Sequence, residues 1–244
     1  MILLQADPVS HRVPGGFALP SGVQGFRPGP PALVPERILR IQGYSDPERV
    51  RAAIRDAAAQ MTAVAASLCQ AQVAYRSVEI TAMDDQGVCV HNGVRLSSQA
   101  FAHRLEGCHH LVAFVLSCGE VLSQKVIDLA DAGDLLEAVL LESAGWLCIE
   151  DATRQFKHWL REQLEVQGCR ITSRMGPGYT YQVDGQEVTW PLEDHPNLFT
   201  LFEGAHLPVQ LMASCAMKPK LSRSGLYGVG PLHQTQVGRP DRSH

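Results

Sequence analysis

The feature that most constrains the fold is a long stretch of helical periodicity, DLLEAVLLESAGWLCIEDATRQFKHWLREQLEVQG, which runs from Asp134 to Gly168. Apolar residues recur along it at three- and four-residue steps, as they do on the buried face of an amphipathic helix. Glycine is a typical residue just beyond a helix C-terminus. A helix of about 34 residues would be roughly 50 Å long at 1.5 Å per residue, so it would run across the whole molecule.

Extended segments precede this predicted helix. Residues 73–83 (VAYRSVEITAM) alternate between apolar and polar side chains, and residues 111–119 (LVAFVLSCG) form the continuous apolar run of a buried strand. Residues 88–96 contain an Asn-Gly step, which is typical of a two-residue hairpin turn. A further helix is predicted over residues 46–68, because it begins with Asp-Pro, a cap followed by a first-turn proline. With no regular βαβ repeat, the predicted fold class is α+β.

The chain divides into three predicted parts. Residues 1–35 are rich in Pro and Gly and predict an irregular arm lying across the body, because proline removes backbone donors and glycine costs backbone entropy. Residues 36–231 are predicted to form one folded domain, and residues 232–244 are predicted to be a disordered tail.

Composition excludes several classes of function. The net charge is -4 and the pI is about 6.2, so no basic field favours nucleic acid or an anionic membrane. No apolar run reaches the roughly 18 residues of a membrane span, and the apolar stretch at the start of the sequence is too short for a signal peptide. We therefore expect a cytoplasmic protein.

The cysteines indicate free thiols. The chain has 7 of them at irregular spacings without a C-x-x-C motif. The neighbouring Cys108, His109 and His110 could form half of a metal site, but no second ligand cluster lies at a useful spacing. No metal is predicted.

Residues 174–182, RMGPGYTYQ, form the most unusual loop of the sequence. The guanidinium of Arg174 suits bidentate capture of a carboxylate or phosphate, and Tyr179 and Tyr181 supply flat faces with polar tips. The alternative at this point is a loop with a surface arginine and packed tyrosines.

Three motifs give this loop a context. R-x-x-PGY is followed in order by WPL-x-D-x-x-x-LF-x-LF and by L-x-x-S-x-x-M-x-P-x-x-S-x-SG-x-Y. Together they resemble the activation domain of cobalamin-dependent methionine synthase, which binds S-adenosylmethionine. The upstream segments RILRIQGY, LEGCHHLVAFVLSCGEVLSQKV and LLESAGWLCIED are similar to the small free-standing members of that family. The resemblance covers residues 37–230, and it implies a mixed or antiparallel sheet with a long central helix.

The resemblance also implies a set of ligand-binding residues. Arg174 would hold the carboxylate of S-adenosylmethionine, and main-chain groups of Gly176 and Gly178 would contact the ligand. Glu150 would reach the amino end, and Tyr227 would lie near the bound ligand. A zwitterionic ligand needs one cation for its carboxylate and one anion for its ammonium group, and Arg174 and Glu150 supply them. The alternative for Glu150 is a solvated helix position that pairs with an arginine at i+4.

Tyr179 is the residue that the resemblance places at the reaction, facing the corrin when a cobalamin domain docks. The implied function is that of a reactivation subunit, a methyltransferase component that presents S-adenosylmethionine for reductive methylation of cob(II)alamin. A partner protein, such as the rest of a split methionine synthase or another corrinoid methyltransferase, would carry the cobalamin. A flavodoxin or ferredoxin-like donor would supply the electron. A stand-alone S-adenosylmethionine-using enzyme and an interaction module without ligand are the alternatives.

The sequence departs from the family in three places. Residues 180–189 (TYQVDGQEVT) are additional and predict a small hairpin around Asp184-Gly185, beside the edge expected to face cobalamin. The arm before residue 36 lies outside the family pattern. No D-x-H-x-x-G cobalamin motif is present.

Overall fold

The computed structural model describes residues 19–20, 22–91 and 93–232. Within them, the strands are β1 (Val23–Phe26), β2 (Gln72–Asp84), β3 (Gly87–Val90), β4 (Arg95–Ser97), β5 (His110–Ser117), β6 (Cys169–Ile171), β7 (Thr180–Val183), β8 (Gln186–Thr189), β9 (Gln210–Leu211), β10 (Met217–Lys218) and β11 (Ser222–Pro231). The α-helices are α1 (Pro35–Ile41), α2 (Ala52–Leu68), α3 (Ala100–Arg104), α4 (Glu120–Asp131), α5 (Leu135–Glu165) and α6 (His195–Thr200). No helix among these residues has the length and apolar character needed to cross a membrane.

The main sheet is antiparallel throughout, with the strand order β4-β3-β2-β5-β11-β6. One edge of β2 pairs with β5 along residues 72–79. Its other edge pairs with β1 near its start and with β3 near its end. Strand β11 is held between β5 and β6, so residues 222–231 form an inner strand of the sheet.

Strand β5 separates two hydrophobic cores. Val112, Phe114 and Leu116 face the core that contains α2 and α5. The intervening residues face the core that contains Phe101 and Trp190. Successive side chains of a strand point to opposite faces, so an apolar strand covered on both faces has no polar alternation. The prediction of a fully buried strand over residues 111–119 is confirmed for its extended part.

The long helix is confirmed as one uninterrupted element of 31 residues. It contacts α1, α2 and α4 and lies over the sheet. Leu140, Ala144, Cys148 and Phe156 are buried at helical spacing on the face that meets the sheet. The α+β class and the antiparallel sheet with a long central helix are therefore as the sequence predicted.

Two local predictions are wrong in detail. The helix expected over residues 46–68 is divided: Asp46 caps a short 3-10 helix, Pro47–Arg49, Val50 is extended, and α2 begins only at Ala52. The hairpin between β3 and β4 exists, but the amide of Val90 donates to the carbonyl of Val94 at 3.0 Å. Its loop therefore has three residues rather than two, and Asn92 lies outside the described residues.

The N-terminal arm contains a strand that the sequence reasoning did not predict. Strand β1 pairs with β2, and Phe26 stacks on Trp159 of α5 with ring centroids 5.0 Å apart. The amide of Gly29 then donates to Oε1 of Gln155 at 2.7 Å. The arm does lie along the long helix, but reading it as irregular is wrong for residues 23–26. Residues 1–18 of the arm and 233–244 of the predicted tail lie outside the described residues.

The additional residues after Tyr179 form the predicted hairpin, β7 and β8. Asp184 and Gly185 have φ values of 49° and 81°. Positive φ at both central residues is the requirement of the type I′ turn, which Asp-Gly favours. Arg104 of α3 donates to the carbonyl of Gln182 at 2.9 Å and so holds the hairpin against the body.

Candidate functional site

The RMGPGY loop is fixed to the middle of β11 by a pair of backbone hydrogen bonds. The amide of Met175 donates to the carbonyl of Leu226 at 2.9 Å, and the amide of Leu226 donates back at 2.8 Å. A Cβ at Gly225 would lie 2.3 Å from the carbonyl oxygen of Met175. Glycine at this position therefore allows the two backbones to approach, which is the physical role of the glycine in the SG-x-Y motif.

Arg174 stands at the start of this loop with its guanidinium largely uncommitted. Its Cζ lies 4.5 Å from the centroid of the Tyr179 ring, a cation–π arrangement. Its Nη1 is 3.5 Å from the carbonyl oxygen of Ser224, at the limit of a hydrogen bond. No ion pair with an acidic residue involves Arg174 in the part of the chain that the structure describes. This half-buried cation is therefore able to bind a carboxylate.

Tyr227 is fully buried below this arginine, on the face of β11 that meets α5. Its ring stacks on Phe114 with centroids 5.5 Å apart and an interplanar angle of 16°. Its hydroxyl has no hydrogen-bond partner among the described residues. Burial raises the pKa of Tyr227 to about 12, against the opposing effect of the nearby charges of Arg174 and Arg223. The hydroxyl therefore stays protonated, a buried donor without an acceptor.

Glu150 lies on α5 and reaches across to β11, where it forms an ion pair with Arg223. The hydrogen bond from Arg223 lowers the pKa of Glu150, and the charges of Arg174 and Arg37 lower it further against the effect of partial burial. Arg174 therefore lies close enough to both Glu150 and Tyr227 for its charge to lower their pKa values. The alternative pairing of Glu150 with the arginine at i+4, Arg154, is wrong, because Arg154 pairs with Asp151 instead.

Arg223 is the site residue that the sequence reasoning missed. Its side chain is only 9 % exposed, and Nη1 donates to Oγ1 of Thr153 on α5 at 3.1 Å. A signal was available, because Arg223 and Tyr227 are four residues apart in a strand and must share a face. Recognising it required knowing that residues 222–231 form a strand, which the glycines conceal.

The glycines of the loop use their main-chain groups internally. The amide of Gly176 donates to the Tyr181 hydroxyl at 2.7 Å, and that hydroxyl donates to the Gly176 carbonyl at 3.1 Å. The amide of Gly178 donates to the carbonyl of Trp190 at 2.7 Å. These bonds rigidify the loop around Arg174, and contact of the two glycines with a ligand stays a prediction.

The arrangement fits the amino-acid end of a ligand. A cation without an acidic partner suits a carboxylate, an ionised carboxylate with an exposed side suits an ammonium group, and a buried hydroxyl suits an acceptor atom. Over residues 19–20, 22–91 and 93–232, no group of three or more His, Cys, Asp or Glu side chains could hold a metal ion.

Comparison with known proteins identifies the fold. No protein-family model and no curated protein matches the sequence. A crystal structure of the MetH reactivation domain bound to AdoHcy matches with a TM-score of 0.53 and 14 % sequence identity, over 88 % of this chain and 80 % of that one. The chain therefore has the fold of the MetH reactivation domain, as the motifs around Arg174 and Tyr227 predicted.

Proposed function

We propose that this protein binds S-adenosylmethionine at Arg174, Glu150 and Tyr227 and presents it to a cobalamin-dependent methyltransferase as a free-standing reactivation subunit. The observation that carries the proposal is the proximity of two polar groups that each lack a partner among the described residues: the half-buried Arg174 has no acidic partner, and the buried Tyr227 hydroxyl has no acceptor. The AdoHcy bound to the MetH reactivation domain, a protein of the same fold, supports this choice of ligand.

Each side chain has a distinct role in this proposal. The fork of Arg174 receives the ligand carboxylate, since a guanidinium can bind both oxygens in one plane. The carboxylate of Glu150 receives the ammonium group. The hydroxyl of Tyr227 donates to the ligand from below, which would satisfy a donor that is otherwise without a partner. Binding in this way orients the remainder of the ligand relative to the exposed face of the loop.

Tyr179 lies at that exposed face. The residue is 45 % exposed and its ring rests against the guanidinium of Arg174, so it is available to a docking surface. S-adenosylmethionine, when bound, supplies an electrophilic methyl group. The partner would carry the cobalamin, in a split methionine synthase or another corrinoid methyltransferase, and a flavodoxin or ferredoxin-like protein would supply the electron. This chain's contribution is to position the ligand rather than to move protons.

A second candidate is a stand-alone enzyme that uses S-adenosylmethionine on a small molecule. The observation that favours it is the hairpin of β7 and β8, which begins directly after Tyr179 and returns to it, since the amide of Trp190 donates to the carbonyl of Tyr179 at 3.0 Å. Ligand turnover by the purified protein without cobalamin would support this candidate over the first.

Titration calorimetry with S-adenosylmethionine and S-adenosylhomocysteine tests the proposal. Loss of a hydrogen-bonded charge partner is worth about 1.5–3 kcal/mol. Arg174→Ala should therefore weaken binding about 10- to 150-fold, and Arg174→Lys should recover only part of it. Arg49→Ala is the matched control, since Arg49 is 89 % exposed and pairs with Asp46 in a different part of the fold.

The fold provides the second control. Among the described residues, Arg174 makes one long hydrogen bond and one cation–π contact, so Arg174→Ala should unfold at nearly the wild-type temperature. Unchanged ligand affinity in a folded Arg174→Ala variant would refute the assignment of this site.

A further inference from the structure

Arg223 is a buried charge in a position that favours apolar residues. It lies on β11 between Ser222 and Ser224, and its side chain is on the same face of the strand as the side chains of the core residues Leu221 and Tyr227. Arginine is almost never buried to this degree unless it is paired. Its two partners both come from α5: Glu150 through Nη2 and Thr153 through Nη1. The guanidinium is therefore fixed to the helix from two sides.

Glu150 is the opposite case, because its side chain is 56 % exposed. A glutamate on an exposed helix face ordinarily samples several rotamers, and ordering such a side chain costs about 1.5–2 kcal/mol. Here Arg223 contacts Oε1 of Glu150, and no hydrogen bond to Oε2 is found in the part of the chain that the structure describes. One oxygen is fixed and the other remains available.

We propose that Arg223 is a positioning residue that holds the Glu150 carboxylate in one orientation, so that its second oxygen binds the ligand's ammonium group. This inference rests on the proposed function. It assigns different tasks to the two arginines of the site: Arg174 binds the ligand carboxylate, while Arg223 never touches the ligand. The site then selects ligands that carry an α-amino group beside the carboxylate.

The charges around Glu150 come from three further elements. Arg223 lies on β11, Arg174 in the loop after β6, and Arg37 on α1, and all three lower the pKa of Glu150. On α5 itself, Arg154 is paired with Asp151. Removing Arg223 leaves only the two more distant cations. Glu150 would then take up a proton at a higher pH, and its carboxylate would lose the contact that orients it.

The first test needs no ligand. The side-chain carboxyl of Glu150 is titrated by NMR in the full chain and in Arg223→Met, with Glu150→Gln to assign the signal. The pKa of Glu150 should be higher in Arg223→Met than in the wild type, and Arg223→Lys should restore most of the difference. The same pKa in all of them would overturn the proposal. If Arg223→Met does not fold, Thr153→Val removes the second bond of the guanidinium and should raise the pKa by a smaller amount.

The second test compares S-adenosylhomocysteine with its analogue that lacks the α-amino group and keeps the carboxylate. Arg223→Met should weaken binding of S-adenosylhomocysteine about 10-fold, the size of one charge-assisted hydrogen bond, and binding of the analogue by less than about 2-fold. Equal losses for both ligands would mean that Arg223 only supports the fold, which overturns the proposal. If the wild type bound neither ligand, the proposed function would fail, and the titration would still decide whether Arg223 acts on the Glu150 carboxylate.

Discussion

Replacing Tyr227 by phenylalanine should stabilise the ligand-free protein and weaken ligand binding. The hydroxyl of Tyr227 is buried without a partner among the described residues, whereas its ring stacks on Phe114 and packs near Phe156. Phenylalanine retains the ring and removes only the unsatisfied oxygen. A gain in stability combined with a loss of affinity distinguishes a binding residue from a packing residue.

The magnitudes follow from the burial of this oxygen. An unsatisfied buried polar group costs about 1–3 kcal/mol, so Tyr227→Phe should raise the free energy of unfolding by about 1 kcal/mol. For a domain of this size, that is an increase of about 2–4 °C in the melting temperature. Loss of a donor to the ligand should reduce the affinity for S-adenosylhomocysteine about 10-fold.

Tyr181→Phe is the matched control because it is the same chemical change at a satisfied hydroxyl. The Tyr181 hydroxyl bonds to both the amide and the carbonyl of Gly176. Its removal should lower the free energy of unfolding by about 1–3 kcal/mol. Differential scanning calorimetry measures both variants, and titration calorimetry measures their affinities. A melting temperature for Tyr227→Phe that falls as far as that of Tyr181→Phe would refute this reasoning.

Two further variants test the framework of the site. In Gly225→Ala, the new Cβ would lie 2.3 Å from the Met175 carbonyl oxygen and displace the loop. The variant should therefore be destabilised by about 3 kcal/mol, measured by the urea midpoint, and should lose ligand binding. Asp194→Ala should lower stability by about 3 kcal/mol, because the buried carboxylate accepts from the amide of Ser97 at 2.9 Å and from the indole nitrogen of Trp190 at 2.6 Å. A loss below about 1 kcal/mol for Asp194→Ala, in thermal or urea unfolding, would contradict the role of this carboxylate as a hydrogen-bond centre.

The long helix and the hairpin of β7 and β8 were predictable because their signals are local. Helical periodicity is repeated over many turns in α5, so a few irregular residues do not obscure it. Asp184-Gly185 determines its own turn through the backbone preferences of two residues. Strand β1 could not be predicted in this way. Its pairing with β2 depends on residues about fifty positions away, and the surrounding Pro and Gly argue against it.

The residues of the candidate site could be proposed from the sequence only where a motif contained them. Arg174, Tyr179 and Tyr227 stand within recognisable motifs, and the structure brings Arg174 and Tyr227 to the same neighbourhood as Glu150. Assigning Arg223 required knowing that residues 222–231 form a strand and that its partner Glu150 lies on a helix 73 residues earlier. The hydrogen bond from the Gly176 amide to the Tyr181 hydroxyl depends likewise on how the loop folds back on itself.

A crystal structure of the protein with bound S-adenosylhomocysteine tests the central claim most directly. We expect the ligand carboxylate within hydrogen-bonding distance of the Arg174 guanidinium, the amino group at Glu150, and an acceptor atom at the Tyr227 hydroxyl. A cavity of about 290 Å³ between α4 and residues 217–221 is a competing position. Ligand density in that cavity, with Arg174 and Tyr227 uncontacted, would contradict the account.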